Sequence, residues 1–247
     1  MIQIENLHKT LGEQHVLRGV DLHVGPGEFV ALIGMSGSGK SLLLRHVVRL
    51  FVPDAGRVLV DGQDVAALPK RELEALRSRI GYVFQNGALF DSMTVYDNVA
   101  FPLREKTRMR EAEIRRRVMT ELEAVGLEDA GAKYPAQLSG GMLKRVALAR
   151  TLVREPAIIL FDEPTTGLDP MVVRSILELF DTVHKQRKLT GILVSHEIPE
   201  IFAIVQRVAM LYEGKIAAVE TPQSLRESPA PIMDQFVNGK LQGPIRL

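Results

Sequence analysis

The 247-residue chain contains no cysteine, which excludes structural disulfides and cysteine-ligated zinc and fits a reducing compartment. It also lacks any run of about 18 consecutive apolar residues, the length a helix needs to cross a bilayer. Its opening, Met-Ile-Gln-Ile-Glu-Asn, has neither the basic start nor the apolar stretch of a signal peptide. The expectation is a soluble or peripheral chain whose access to any membrane comes through a partner. An excess of one charge is missing as well: 31 basic residues stand against 30 acidic ones, so nothing pulls the chain strongly toward nucleic acid. The run Arg115-Arg116-Arg117 reads as a solvated helix face, because Ile114, Val118, Leu122 and Val125 form an apolar stripe on the opposite side. Internal repeats and low-complexity tracts are absent.

What is present suffices for a full core, with 46% hydrophobic residues in a length at which α/β folds commonly form one domain with a subdomain. Short apolar runs at Phe29 to Ile33, Ile80 to Phe84, Ala157 to Phe161, Gly191 to Val194 and Val208 to Leu211 read as buried strands separated by helical patterns. That alternation predicts an α/β fold with a mostly parallel sheet and ligand-binding loops at the carboxyl ends of its strands. Ile2 to Glu5 and Val20 to Val24 alternate in polarity and predict an antiparallel β layer beside it. From about Gly87 to Arg154 the pattern turns helical, with candidate helices at Val95 to Phe101, Glu111 to Val125 and Gly141 to Val153. The predicted division is a core of residues 1–87 and 155–221, an inserted helical subdomain of residues 88–154, and a C-terminal helix near Ile232 to Val237 with an extended tail in residues 222–247.

Gly34-Met35-Ser36-Gly37-Ser38-Gly39-Lys40-Ser41 follows one apolar strand and precedes the helical run from Leu42, the context a phosphate-binding P-loop requires. Glycines let successive backbone N–H groups turn inward around phosphates, Lys40 reaches the β and γ oxygens, and the Ser41 hydroxyl can ligate Mg²⁺. This predicts a P-loop NTPase of the RecA-like kind with nucleotide on residues 34–42. A second apolar strand ends in Asp162-Glu163. Asp162 is the candidate Mg²⁺ ligand and Glu163 the candidate general base. Ser139-Gly140-Gly141 precedes another helical run. By itself it reads as an ordinary N-cap, and bare glycine N–H groups there also make an anion site. Gln85 and His196 each follow a strand, where a lone polar residue is commonly structural. The other histidines, at 8, 15, 23, 46 and 184, show no ligand-like grouping in sequence.

The order of these elements, with Leu138-Ser139-Gly140-Gly141-Met142 shortly before the acidic strand, resembles the nucleotide-binding subunits of ABC transporters over approximately residues 1–220. The resemblance implies ATP and Mg²⁺ as cofactors, Gln85 as a glutamine touching Mg²⁺ and water, Gly167-Leu168-Asp169 as the D-loop, and His196 as the switch histidine. It implies a head-to-tail dimer in which Ser139 and Gly141 meet the γ-phosphate held by a second copy, so that Glu163, His196, Gln85 and Lys40 form the catalytic set.

The stretch Phe84 to Val99, continuing to Pro102-Leu103-Arg104-Glu105, and the ending Gln235-Phe236-Val237-Asn238-Gly239 are similar to the ATPases of the Mla or Mce-type phospholipid transport systems of bacteria. That likeness implies an ATPase on the cytoplasmic face of the inner membrane, paired with an integral permease and an MCE-domain lipid-binding protein, with a small STAS-domain regulator in some systems. An importer of a small polar solute would share the same chemistry. A chromosome-type ATPase would need a long coiled-coil insertion, and a ribosome-associated one a second motif set; neither is here. Leu11 stands where relatives carry an aromatic residue for adenine, so stacking passes to an aliphatic contact or to nearby residues. Met142 stands where many carry glutamine. Ala88-Leu89-Phe90 offers apolar anchors for the permease.

Overall fold

The computed structural model describes residues 1–246. In chain order its elements are β1 (Ile2–Leu11), β2 (Gln14–Val24), β3 (Phe29–Ile33), α1 (Lys40–Val47), β4 (Ala55–Val60), β5 (Gln63–Asp64), α2 (Lys70–Ser78), β6 (Ile80–Val83) and α3 (Val95–Lys106). There follow α4 (Glu111–Ala124), α5 (Gly140–Leu152), β7 (Ile158–Asp162), α6 (Pro170–Arg187), β8 (Thr190–Val194), β9 (Arg207–Tyr212), β10 (Lys215–Glu220), α7 (Pro222–Glu227) and α8 (Pro231–Val237).

Six strands form one sheet in the order β10-β9-β3-β8-β7-β6. All its pairings are parallel except that of the edge strand β10 with β9. Of the strands that read as continuous apolar runs, β9, β3, β8 and β7 are its interior, where both faces are covered and no polar alternation is needed, and β6 is an edge. Period-two geometry then divides each strand between two cores. Phe29, Ala31 and Ile33 of β3 join Phe161, Leu193 and the apolar faces of α3 to α6. Val30 and Leu32 face the other way, onto α1, α2 and the second sheet. That second sheet, β2-β1-β4-β5, is antiparallel throughout, as the alternating strands at the N-terminus predict. Its β4 and β5 were readable only from a short alternation ending in the Asp61-Gly62 turn.

In α4 the stripe Ile114, Val118 and Leu122 is fully buried and continues into Val125, while Arg115 and Arg116 are exposed. The C-terminal segment departs from expectation. Pro222 opens a helix of its own, capped by the Thr221 hydroxyl, which accepts from Ser224 N at 3.1 Å. The residues after α8 fold back instead of extending. The buried Gln235 side chain donates to Ile245 O at 3.1 Å and accepts from Ile245 N at 2.7 Å, and Ile245 enters the same core as α3 to α6. An amide that satisfies both polar groups of one distant residue lets that backbone be buried without loss.

The segment between β6 and α3 carries Gln85, and its shape depends on Asn98. This side chain is fully buried; it accepts from Phe90 N at 2.8 Å and donates to the carbonyls of Phe90, Met93 and Thr94 at 3.0 to 3.2 Å. Asn98→Ala leaves those groups unpaired inside the protein, and the expected loss is roughly 2–4 kcal/mol of stability. A thermal melt of the variant with an unchanged midpoint would show that the loop is held by something else.

Candidate functional site

The N-cap of helix α1 is Gly39, whose φ of 102° is left-handed, and no side chain caps the helix. Its first N–H groups therefore remain open for an anion, and the helix dipole adds to their field. The loop before it approaches the sheet closely: a Cβ at Gly34, where φ is 146°, would lie 2.2 Å from Leu211 O. Only glycine fits that approach. Lys40, buried, reaches back across the loop and donates to Gly34 O and Met35 O, each at 2.9 Å. Burial pushes its ammonium below the ordinary lysine range, while Glu163 and Asp162 pull in the opposite direction. The Ser38 hydroxyl is buried within the loop with no partner, and a buried orphan of this kind calls for a ligand.

Strand β7 runs between β6 and β8, and its last residue, Asp162, and the Glu163 that follows it meet different neighbours. Asp162, 4% exposed, accepts from Ser41 Oγ at 2.5 Å through one oxygen and from Tyr82 Oη at 2.7 Å through the other. Burial first, and Asp162 second, push the Tyr82 hydroxyl well above the usual phenol range, so it stays a donor. A hydroxyl and a carboxylate oxygen side by side form a hard-donor corner suited to Mg²⁺.

At Glu163 the backbone turns left-handed, φ 50°, with its N–H bonded to Val194 O at 3.0 Å. The left-handed region costs an ordinary residue about 1–2 kcal/mol, and it aims this carboxylate away from Asp162. Its Oε1 lies 2.9 Å from His196 Nε2 and its Oε2 accepts from Gln85 Nε2 at 3.3 Å. The fold thus gathers Lys40, Ser41, Asp162, Glu163, Gln85 and His196 at the carboxyl end of the parallel strands. A carboxylate held between an amide and an imidazole, beside an open anion cradle, can orient and polarise water toward a phosphate.

Ser139 caps α5, accepting from Met142 N at 3.3 Å. Among the described residues no hydrogen bond joins Ser139, Gly140 or Gly141 to the phosphate loop or to Glu163, so one copy leaves this second anion site separate from the first. Three contributions escaped the sequence reading. Lys144 of α5 donates to Gln85 O, and Arg150 donates to Ala88 O at 2.7 Å and Gly87 O at 2.9 Å. Burial lowers both pKa values. Tyr82 is the third. The two cations clamp the Gln85 loop to the helix that Ser139 caps; a basic residue every turn or two along α5 was the only available signal. Of the expected apolar anchors, Phe90 is 41% exposed, while Leu89 is half-buried and packed on the core. Of the histidines without a ligand-like grouping in sequence, His8 and His15 meet across the β1–β2 hairpin, Nδ1 to Nε2, at 3.3 Å.

Residues 17–166 match the family model described as ABC transporter. The chain is 40% identical over 246 residues to the intermembrane phospholipid transport system ATP-binding protein MlaF of Haemophilus influenzae, covering 100% of this chain and 93% of that one. It is 39% identical to the probable ribonucleotide transport ATP-binding protein mkl of Mycobacterium leprae, covering 99% of this chain and 70% of the relative. Among solved structures, the dimeric post-hydrolysis ATP-binding cassette MJ0796 bound to ADP and Pi superposes with a TM-score of 0.81. The two are 35% identical, over 90% of this chain and 99% of that one.

Proposed function

The chain belongs to the ABC transporter family, and on that premise we propose that it is the ATP-hydrolysing subunit of a transporter that moves phospholipid across the bacterial envelope. The observation that carries the ATPase reading is the placement of Glu163 between Gln85 and His196, beside the uncapped start of α1. The lipid reading rests on the relative named MlaF, which this chain matches over 93% of that protein's length, against 70% for the relative named for ribonucleotides.

In this mechanism the backbone N–H groups of residues 34–42 and the Lys40 ammonium take the triphosphate, and Lys40 exchanges its bonds to Gly34 O and Met35 O for phosphate oxygens. Ser41 and Asp162, with Gln85 alongside, would hold Mg²⁺, whose charge offsets that of the phosphates. Glu163 aligns the attacking water and takes its proton. His196 keeps the carboxylate in place and reports on the γ-phosphate through the same contact.

Ser139 and Gly141 act on the nucleotide of a second copy, which explains their separation from the phosphate loop here. Two copies pack head to tail and enclose two ATP molecules. The related cassette that superposes on this chain is dimeric with ADP and Pi bound. No helix among the described residues is long and apolar enough to cross a membrane. By its likeness to the ATP-binding protein of a phospholipid transport system, the subunit sits on the cytoplasmic face of the inner membrane against an integral permease, which meets the Gln85 loop and the exposed Phe90 ring. An MCE-domain lipid-binding protein completes the assembly, joined in some systems of this kind by a STAS-domain regulator. The helical segment 88–154 carries the signature and the remaining core the phosphate loop. Purification from detergent-solubilised membranes, followed by mass spectrometry of proteins and lipids, is expected to recover a permease and phospholipid. A complex carrying a polar solute and no lipid would reassign the substrate.

A further inference from the structure

Both oxygens of Asp162 are taken, by donors with different freedom. Oδ1 accepts from the Ser41 hydroxyl at 2.5 Å and Oδ2 from the Tyr82 hydroxyl at 2.7 Å. Ser41 belongs to the phosphate loop and can give its oxygen to a cation, which turns its proton away and releases Oδ1. Tyr82 lies outside that loop. On β6 it pairs with Leu160 of β7, and Leu160 and Asp162 point to the same face of the sheet, so the phenol reaches the acid from two residues before the strand end.

The phenol is fixed as a donor. Its ring packs on Phe84, with centroids 4.3 Å apart, and Arg45, one turn beyond Ser41 on α1, stands beside its oxygen. A guanidinium has no acceptor, so it leaves the phenol proton to Asp162. Asp162 is buried, and little water reaches Oδ2 to take the place of the phenol. The hydroxyl therefore has no task in the phosphate cradle and a lasting one on the carboxylate oxygen that Ser41 does not touch.

We propose that Tyr82 is a positioning residue that sets the metal preference of this site: by holding Oδ2 it makes Asp162 a one-oxygen ligand and favours Mg²⁺ over Ca²⁺. Mg²⁺ takes oxygens at about 2.0–2.1 Å in a near-ideal octahedron, which a carboxylate serves through one oxygen. Ca²⁺ takes them at about 2.3–2.6 Å in a looser shell that accepts both oxygens of a carboxylate. To draw on Oδ2 as well, a cation must displace the Tyr82 proton from a buried oxygen. The inference rests on the reading of Ser41 and Asp162 as the metal corner of an ATPase site.

The test is equilibrium titration of the purified full chain with a β,γ-imido analogue of ATP, which is not hydrolysed, in Mg²⁺, in Ca²⁺ and in EDTA. Wild type is expected to bind the analogue more tightly in Mg²⁺ than in Ca²⁺; equal affinities would overturn the proposal. Tyr82→Phe keeps the ring on Phe84 and loses one oxygen. It should lower the ratio of the two affinities about tenfold, in line with what the hydrogen-bond partners of metal ligands contribute, and leave the EDTA value unchanged. Tyr82→Leu also lacks the hydroxyl and should show the same lowered ratio, so the result does not hang on how well one variant folds. A merely structural Tyr82 would weaken all three titrations together. That outcome, or the wild-type ratio in both variants, overturns the assignment. Ser41→Ala tests the level beneath. If it removes the gain from Mg²⁺ while Tyr82→Phe keeps the wild-type ratio, the metal corner stands and Tyr82 has no part in its preference. If Ser41→Ala retains the full gain from Mg²⁺, the metal corner is misplaced and the Tyr82 inference falls with it.

Discussion

Glu163→Gln is expected to retain ATP and lose turnover by about 10²- to 10³-fold, within the range a positioned general base supplies. The substitution is nearly isosteric, and the new amide keeps an oxygen to accept from Gln85 Nε2, now at 3.3 Å from the carboxylate. It cannot take a proton from water, and it carries no charge for His196 to hold. The left-handed backbone at this position, φ 50°, is anchored by the bond from Glu163 N to Val194 O and does not depend on the side chain, so the fold should be unchanged. Phosphate release and ATP titration on the same preparation check both halves. Hydrolysis within a few-fold of wild type would place the base elsewhere. Loss of ATP binding would instead make Glu163 part of the nucleotide's electrostatic support.

Lys40→Ala is expected to act on the other quantity, lowering ATP affinity by roughly 10- to 100-fold, as hydrogen bonds to charged groups are worth about 1.5–3 kcal/mol. The ammonium is already desolvated in the folded protein, 4% exposed and near both Asp162 and Glu163. Much of the cost of burying it has therefore been met before the nucleotide arrives, which makes its attraction for phosphate strong. Its removal frees Gly34 O and Met35 O, but it also relieves the buried cation, so a large loss of fold stability is not expected. Titration calorimetry with ATP, alongside a melt of the free chain, separates binding from folding. A variant that binds ATP like wild type would show that the loop backbone alone holds the phosphates.

The two variants divide the site as the sequence divides it. Lys40 belongs to a device that is contiguous in sequence, a strand, six loop residues and a helix start, and contiguous devices are legible because backbone geometry between neighbours is set locally. Asp162-Glu163 was legible for a similar reason: an apolar run of strand length stops at two acids. The partners of those acids were not. Tyr82 meets Asp162 from a position 80 residues away, and it does so only because β6 lies directly beside β7. Lys144 reaches Gln85 O across 59 residues, a contact that depends on how α5 packs and on nothing in the spacing of either motif.

The tail after α8 folds back for a reason that is equally non-local. Proline after proline reads as irregular chain, yet burial of Ile245 under the Gln235 amide draws it back onto the core. The histidines at 8 and 15 looked unrelated at a separation of seven, and the β1–β2 hairpin register made them neighbours, with His15 opposite Thr10.

By itself the sequence determined the alternation of buried strands and helices, the phosphate loop with its lysine and serine, the acidic strand end and the serine-glycine helix start, because each is written in consecutive residues. Only the tertiary structure decided the strand order, the clamp of α5 on the Gln85 loop, the His8–His15 contact and the return of the C-terminus. Those depend on which distant surfaces exclude water together, and that choice is made by the whole core at once.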